Sequence, residues 1–397
     1  MTFALRVDGD RWTKHVDGRL AQIAIATGNA AVPVIKGGGY GLGQLRLLHQ
    51  VGIRDLPWIA VGTIYEALEC VGSTQSRVLV LEPFDPRDEL AAAAWAKVPA
   101  NAFTRTIATA EGLHAVCQLA GSSDSAAPVS IVLEARTSMR RFGFTDDALL
   151  QVLTGPSTRN ALREGRVVLE GLGLHLPIAQ PDDDVAPRAG STVVSAKVRQ
   201  VLRWAGLWQA ELDALQLGGQ QSAALWVSHC SDEELLEISA AVPQLTLRQR
   251  SGTDLWLGDR RALQAEGTVL NVAQVPGGTP VGYRQRSRAR GGHVLTVSGG
   301  TWHGIGLQAP SPVSSVRQRA VAAGTGALDA AGRALSPFSW DGRQRWFIEP
   351  PHQHVSMVWL PEQCTPPQIG DALPADVRFT TSRFDRVLGL EPLGDDA

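Results

Sequence analysis

At 397 residues the chain exceeds an ordinary single domain and fits one large barrel with a smaller module attached. Its formal net charge of -2 excludes the electrostatic footprint of a nucleic-acid or anionic-membrane binder. No apolar run approaches the roughly 20 residues needed to cross a bilayer, and the start, Met1 to Asp8, has no signal-peptide pattern, so a soluble, cytoplasmic protein is expected.

From residue 15 to residue 260, short apolar runs alternate with amphipathic segments of helical period, the pattern of repeated βα units. The predicted strands are Val32–Ile35, Trp58–Val61, Val78–Leu81, Val98–Ala102, Ser130–Glu134, Leu169–His175, Ala214–Leu217 and Leu245–Arg250. Predicted helices between them include Thr63–Val71, Thr106–Leu119, Asp146–Leu153, Val194–Ala205 and Ser231–Ala241. Eight such units predict an α/β fold, a (β/α)8 TIM-type barrel over residues 1–262, with functional groups at the C-terminal strand ends. Two polar loops interrupt it, Gly121–Pro128 and Gln180–Thr192. The run Asp182, Asp183, Asp184 in the second reads as a solvated surface loop rather than a metal site. After residue 262, short alternating runs separated by Gly and Pro, such as Gly267–Val275, His293–Val297, Trp346–Ile348 and His354–Leu360, predict a smaller, mainly β domain over 263–397. Cys70, Cys117, Cys230 and Cys364 show neither pairing nor zinc spacing and read as buried free thiols.

The first predicted strand ends in Lys36, followed by Gly37, Gly38, Gly39, Tyr40, Gly41, Leu42 and Gly43. Lysine is scarce here: Lys14, Lys97 and Lys197 are the only others, and the remaining 33 of the 37 basic residues are arginine. Arginine stays protonated, whereas a lysine can give up its proton and form an imine. Position alone also allows a strand-end lysine whose ammonium reaches solvent beside a turn. Tyr40 favours the imine reading, because a phenol in a Gly-Tyr-Gly turn can donate to a phosphate oxygen.

This string resembles the pyridoxal-lysine motif of the alanine racemase family, the fold-type III pyridoxal-phosphate enzymes, with Gly37-Gly38-Gly39 where the family usually has an Ala-Asn-Ala type linker. The resemblance implies pyridoxal 5'-phosphate as cofactor, no metal, and further site residues in chain order. Glu134 to Phe144 is similar to the family's Asp-Thr-Gly-Met-x-Arg-x-Gly, which makes Arg141 the arginine that binds substrate carboxylate. Glu134 stands near a lysine that is carbamylated in many racemases, and its carboxylate could pair with Arg141 unmodified. Gly171 to His175 resembles Gly-x-x-x-His, placing His175 against the pyridine ring. Gly218 to Ala224 resembles the segment containing Asn-Ser-Ala. Ser222, with the amides of Gly252 and Thr253 and with Tyr40, would cup the phosphate, where barrels often hold one. Arg250 would face the pyridine nitrogen, keeping it unprotonated and weakening the electron sink.

Racemisation needs a second acid/base on the opposite face of the substrate from Lys36. The chain has three tyrosines, Tyr40, Tyr65 and Tyr283. Tyr65 lies on an ordinary helical pattern. Tyr283, in Val281-Gly282-Tyr283, resembles the family's catalytic tyrosine, which comes from a partner subunit and so implies a homodimer with shared sites. Beyond Tyr283 the resemblance weakens. Arg284 to Arg290 replaces Gly-x-x-Tyr, Gly299 to Gly304 replaces Gly-Tyr-Ala-Asp-Gly, and Pro350-Pro351-His352-Gln353 replaces Cys-Met-Asp-Gln. The arginine-rich loop reads either as a solvated surface or as a sign of a substrate larger or more acidic than alanine. The sequence therefore predicts a pyridoxal-phosphate-dependent amino-acid racemase using Lys36 and Tyr283. Its alternatives are another fold-type III activity (D-amino-acid aldolase, dehydratase or decarboxylase, with a weak metal spacing at His352, His354 and Cys364) and a cofactor-binding protein without turnover.

Overall fold

The structure is a computed structural model that describes residues 2–122, 127–178, 194–215, 223–283, 285, 287–288, 291–307 and 334–390. The chain divides into two compact units. One comprises Lys14–Gly39 and Gly43–Gly258; the other comprises Met1–Thr13, Tyr40–Leu42 and Asp259–Ala397.

The chain begins with β1 (Phe3–Val7), which belongs to the second unit. The first unit is a parallel barrel of eight strands: β2 (Val32–Pro33), β3 (Trp58–Val61), β4 (Arg77–Pro83), β5 (Phe103–Ile107), β6 (Val129–Glu134), β7 (Val167–Leu174), β8 (Ala224–Ser228) and β9 (Thr246–Ser251). Neighbours pair in sequence order from β3 to β9, and β9 pairs with β2. A bridge from Val34 to Ala60, with the Ile35 N–H donating to the Ala60 carbonyl at 2.8 Å, closes the ring. Inside it, Val32, Val34, Trp58, Ala60, Leu79, Val132, Ala224 and Trp226 form one buried cluster. Trp58 and Trp226 meet edge to face at 4.8 Å, and the indole N–H of Trp226 donates to the Glu170 carbonyl. Two indoles plug the barrel interior, so the site must lie at a rim.

Two predicted strands fall elsewhere. Val98–Ala102 is a turn before β5, with the Phe103 N–H donating to the Pro99 carbonyl at 3.1 Å. Pro99 brings no N–H to a ladder and fixes its own φ, which favours the turn. The helix expected from Thr106 accordingly starts later and spans Ala110–Ser122. Ala214–Leu217 overlaps the end of the long helix Ala196–Leu215, whose buried Val198, Val201, Trp204, Ala205 and Trp208 carry the helical period past the expected stop. The strand is β8, made of Ala-Leu-Trp-Val-Ser.

In the second unit, β1 pairs antiparallel with β10 (Leu263–Val275), Leu5 opposite Ala265. Phe3, Ala4, Leu5 and Val7 are buried in this sheet, and residues Met1–Thr13 group with the C-terminal unit rather than with the barrel over 1–262. The sheet continues through Gly292–Ser298, Leu335–Trp340, Arg343–Phe347, Val355–Pro361, Ala372–Ala375 and Arg386–Leu388, and is antiparallel except where β1 meets Arg386–Leu388. No helix among the described residues is long and apolar enough to cross a membrane. Cys70, Cys117 and Cys230 are buried, Cys364 is half-buried, and all four are free thiols.

Candidate active site at the barrel rim

Lys36 lies two residues after the bridge residue Val34 and is half-buried. The chain then turns through Gly37, Gly38 and Gly39, with φ of 66°, 66° and 70°, and Tyr40, with φ 58°. A run of left-handed residues is costly for any side chain but glycine, which explains the three glycines. Glu66 staples this turn. One of its carboxylate oxygens accepts the Gly37 N–H at 2.7 Å and the other the Gly62 N–H at 2.6 Å. Glu66 is placed by its helix, Ile64–Cys70, whose N-cap Thr63 hydroxyl accepts the Glu66 N–H. Gly62 lets the staple and the lysine approach, since a Cβ there would lie 3.1 Å from the Lys36 Cβ and 2.9 Å from a Glu66 oxygen.

Burial and the nearby guanidinium groups of Arg141 and Arg250 hold the Lys36 amine below its ordinary value, with Glu66 opposing them. The amine is thereby biased toward its neutral, nucleophilic form.

β6 ends in Glu134, buried at 2% exposure. One carboxylate oxygen accepts the His175 N–H at 3.1 Å; the other lies 3.5 Å from Arg250 Nη1. A Cβ on Gly173 would collide with that carboxylate, so the glycine in β7 makes room for it. Burial pushes the Glu134 carboxyl up, while Arg250, the His175 N–H and Arg141 pull the other way. The expected Glu134 pairing therefore has Arg250 as its direct partner, with Arg141 acting through its field. Arg141 itself is exposed on the loop after β6, its guanidinium 4.4 Å from the Phe142 ring. That loop is closed by the Arg136 N–H donating to the Phe144 carbonyl and the Phe144 N–H donating to the Glu134 carbonyl, each at 2.8 Å.

Arg250, near the end of β9, is 6% exposed, and its Nε and Nη2 have no hydrogen-bond partner among the described residues. A buried guanidinium with open N–H groups requires an acceptor. A heteroaromatic nitrogen or a phenolic oxygen at the rim would supply it. His175 follows β7, and its Nδ1 lies 3.0 Å from Ser228 Oγ at the end of β8. The Leu176 N–H donates to the same Oγ at 3.3 Å, so one hydroxyl holds both the ring and the backbone that follows it. Burial, then Arg250 and Arg141, push His175 down to about 3, so the ring is neutral. His229 packs on it at 5.3 Å, and its carbonyl accepts from the buried Lys197 amine at 3.0 Å.

Gly252 and Thr253 open the short helix Thr253–Leu257 directly after β9, where first-turn N–H groups lack intrahelical partners. Ser222 lies outside the described residues, as does the aspartate run 182–184. Tyr40 is buried and groups with the second unit. In that unit Tyr283 is 83% exposed, and its ring meets that of His352 at 4.3 Å. His352 Nε2 bonds Glu349, whereas His354 packs against Trp302 and His303. Among the described residues no group of three His, Cys, Asp or Glu side chains is arranged to hold a metal.

The barrel thus brings together Lys36, Glu134, Arg141, His175 and Arg250. Glu66, Ser228, His229, Gly62 and Gly173 went unnoticed in the sequence. Thr63-x-x-Glu66 is legible as a helix start, but nothing in the string says that its carboxylate faces Lys36.

The family model for the alanine racemase N-terminal domain matches residues 13–225. No curated protein matches the chain in sequence. Among solved structures, alanine racemase from E. faecalis is similar over 98% of both chains, at 17% identity and a TM-score of 0.63. Alanine racemase from Bartonella henselae with covalently bound pyridoxal phosphate covers 98% of this chain and 99% of its own, at 16% identity and TM-score 0.62. Biosynthetic alanine racemase from Pseudomonas aeruginosa covers 94% of this chain and 89% of its own, at 20% identity and TM-score 0.55.

Proposed function

Because the chain belongs to the alanine racemase family, we propose that it is a pyridoxal-phosphate-dependent amino-acid racemase, acting in the cytoplasm as a homodimer. The observation that carries this reading is the pairing of a half-buried lysine, its amine held low, with a buried Arg250 whose Nε and Nη2 have no hydrogen-bond partner among the described residues, on the same rim. Lys36 would hold the cofactor covalently. The Arg250 N–H groups would donate to its ring nitrogen, His175 would lie against the ring, and Tyr40, Ser222, Gly252 and Thr253 would take the phosphate. When bound, pyridoxal phosphate supplies the electron-withdrawing ring that acidifies the α-proton of an attached amino acid.

The protein's own residues do the rest. An amine held below its ordinary value suits Lys36 to take a proton at Nζ and return it. Arg141, exposed on its closed loop, presents a fork for both oxygens of a substrate carboxylate. The neutral His175 adds no positive charge beside the two guanidinium groups. Tyr283 of a second copy would work on the opposite face, which gives the two-base α-proton transfer that racemisation demands.

The test combines an absorbance spectrum of wild type and Lys36→Ala, each with pyridoxal phosphate, with α-proton exchange in deuterium oxide across the amino acids. The proposal expects a near-visible band lost with Lys36 and exchange on at least one amino acid. A band that survives Lys36→Ala would refute the lysine assignment, and a loaded protein that exchanges nothing would refute turnover.

A further inference from the structure

Resting on the proposed role of Tyr283 as the second acid/base, we infer that Glu349 and His352 form a bracket that positions this otherwise exposed tyrosine. An exposed phenol ordinarily samples several rotamers, which is a poor state for a group that must meet one substrate face. Here it is held at two points. Its N–H donates to one Glu349 carboxylate oxygen at 3.2 Å, and its ring lies 4.3 Å from that of His352 at an interplanar angle of 38°. The other Glu349 oxygen bonds His352 Nε2 at 2.5 Å, so one carboxylate ties the backbone of the tyrosine to the shelf beneath its ring. Gly282, at φ 83°, is required for this: a Cβ there would collide with the Glu349 carboxylate.

The bracket is itself built on rigid elements. Glu349 follows the strand Arg343–Phe347, and the Ile348 N–H donates to the Met357 carbonyl at 2.9 Å. His352 donates its own N–H to the Val355 carbonyl at 2.9 Å and accepts the Thr301 N–H on its carbonyl at 2.8 Å. Between them stand Pro350 and Pro351, whose fixed φ angles limit how far the carboxylate and the imidazole can move apart. The Pro-Pro-His segment, a departure from the family pattern, thus has a physical use. Glu349 and His352 are positioning residues, acting through Tyr283.

The experiment uses the full-length protein loaded with pyridoxal phosphate and follows α-proton exchange separately from each enantiomer of an accepted amino acid. Tyr283→Phe, Glu349→Ala, His352→Ala and His352→Phe are compared. In a two-base reaction each base serves one enantiomer, so a misplaced Tyr283 slows exchange from one and spares the other. Glu349→Ala and His352→Ala are expected to lose about ten- to a hundredfold on the Tyr283-dependent enantiomer alone, the scale of a misplacement of about 1 Å. His352→Phe, which keeps a flat ring, is expected to recover much of that loss.

Carbon-labelled tyrosine NMR of the cofactor-free protein gives a second readout, with three tyrosines and Tyr283→Phe for assignment. The Tyr283 signal should move toward that of a free phenol in His352→Ala. If Tyr283→Phe slows neither enantiomer selectively, the acid/base reading fails, while the NMR still tests the bracket. If Tyr283→Phe is selective but both alanine variants slow the enantiomers equally or not at all, the bracket is refuted. A His352→Phe variant as impaired as His352→Ala would refute the ring shelf.

Discussion

The left-handed turn after Lys36 makes an ordered prediction about two adjacent glycines. Gly38 and Gly39 have nearly equal φ, 66° and 70°, so alanine at either place carries the same left-handed penalty, about 1–2 kcal/mol. Part of it is offset, by about 0.4–1 kcal/mol, because alanine also restricts the unfolded chain. They differ in space. A Cβ on Gly38 meets nothing within 4 Å, whereas one on Gly39 would lie 2.7 Å from the Gln44 amide nitrogen, 3.1 Å from the Gln44 Cα and 3.5 Å from Leu47 Cδ1. The first two are backbone atoms at the start of the helix Gln44–Gly52, which cannot yield as a flexible side chain does. Overpacking of this kind adds about 1–3 kcal/mol. Gly38→Ala should therefore cost about 1 kcal/mol and Gly39→Ala about 2–4 kcal/mol. Urea unfolding followed by circular dichroism, with the cofactor-free proteins side by side, measures both. A Gly39→Ala variant no less stable than Gly38→Ala would refute the left-handed, tightly packed turn.

Other residues of the rim give shorter tests. Glu134→Ala strands the buried Arg250 charge and should destabilise the protein by about 3–5 kcal/mol in urea unfolding, with Glu134→Gln milder because its amide oxygen still accepts the His175 N–H. His175 sits at about 3 in the folded protein against an ordinary 6.5, so the unfolded chain binds the extra proton between those values. Its contribution to stability is then complete above about pH 6.5 and falls as pH drops toward 3, and His175→Gln should flatten that part of an acid-unfolding curve. Lys36 is held low by burial and two arginines, so Arg250→Ala should shift its acylation to higher pH when labelling is mapped by mass spectrometry.

How legible each part was follows from the range of the interaction behind it. Lys36 stands out in the sequence because it ends a locally visible apolar run in a chain poor in lysine, whereas Arg141, His175 and Arg250 were singled out only through the family resemblance of the motifs around them. β5 was misplaced because Val98 and Ala102 look apolar enough for a strand while Pro99 spends its carbonyl on a turn. β8 was misplaced because the period of the Ala196–Leu215 helix continues into the predicted strand. β1 escaped because the partner that makes Phe3–Val7 a strand lies at Leu263–Val275, and no local pattern reports a pairing that distant.

The same distinction governs the site's electrostatics. Lys36 is held low by burial and by Arg141 and Arg250, against Glu66, and these groups come from the loop after β6, the end of β9 and the helix Ile64–Cys70, so the low amine is a property of the closed barrel and not of the Lys-Gly-Gly-Gly-Tyr string. The string carries only what the lysine itself requires: a strand to end on and glycines that can turn left-handed. Arg250 makes the point in reverse. Its residue type was legible, but its unpaired Nε and Nη2 became visible only in the structure, where Glu134 lies 3.5 Å from Nη1 and the other two nitrogens find no hydrogen-bond partner among the described residues. An unpaired buried donor costs about 1–3 kcal/mol or more, so a buried guanidinium with nitrogens that find no acceptor among the described residues points to a ligand more strongly than its residue type alone.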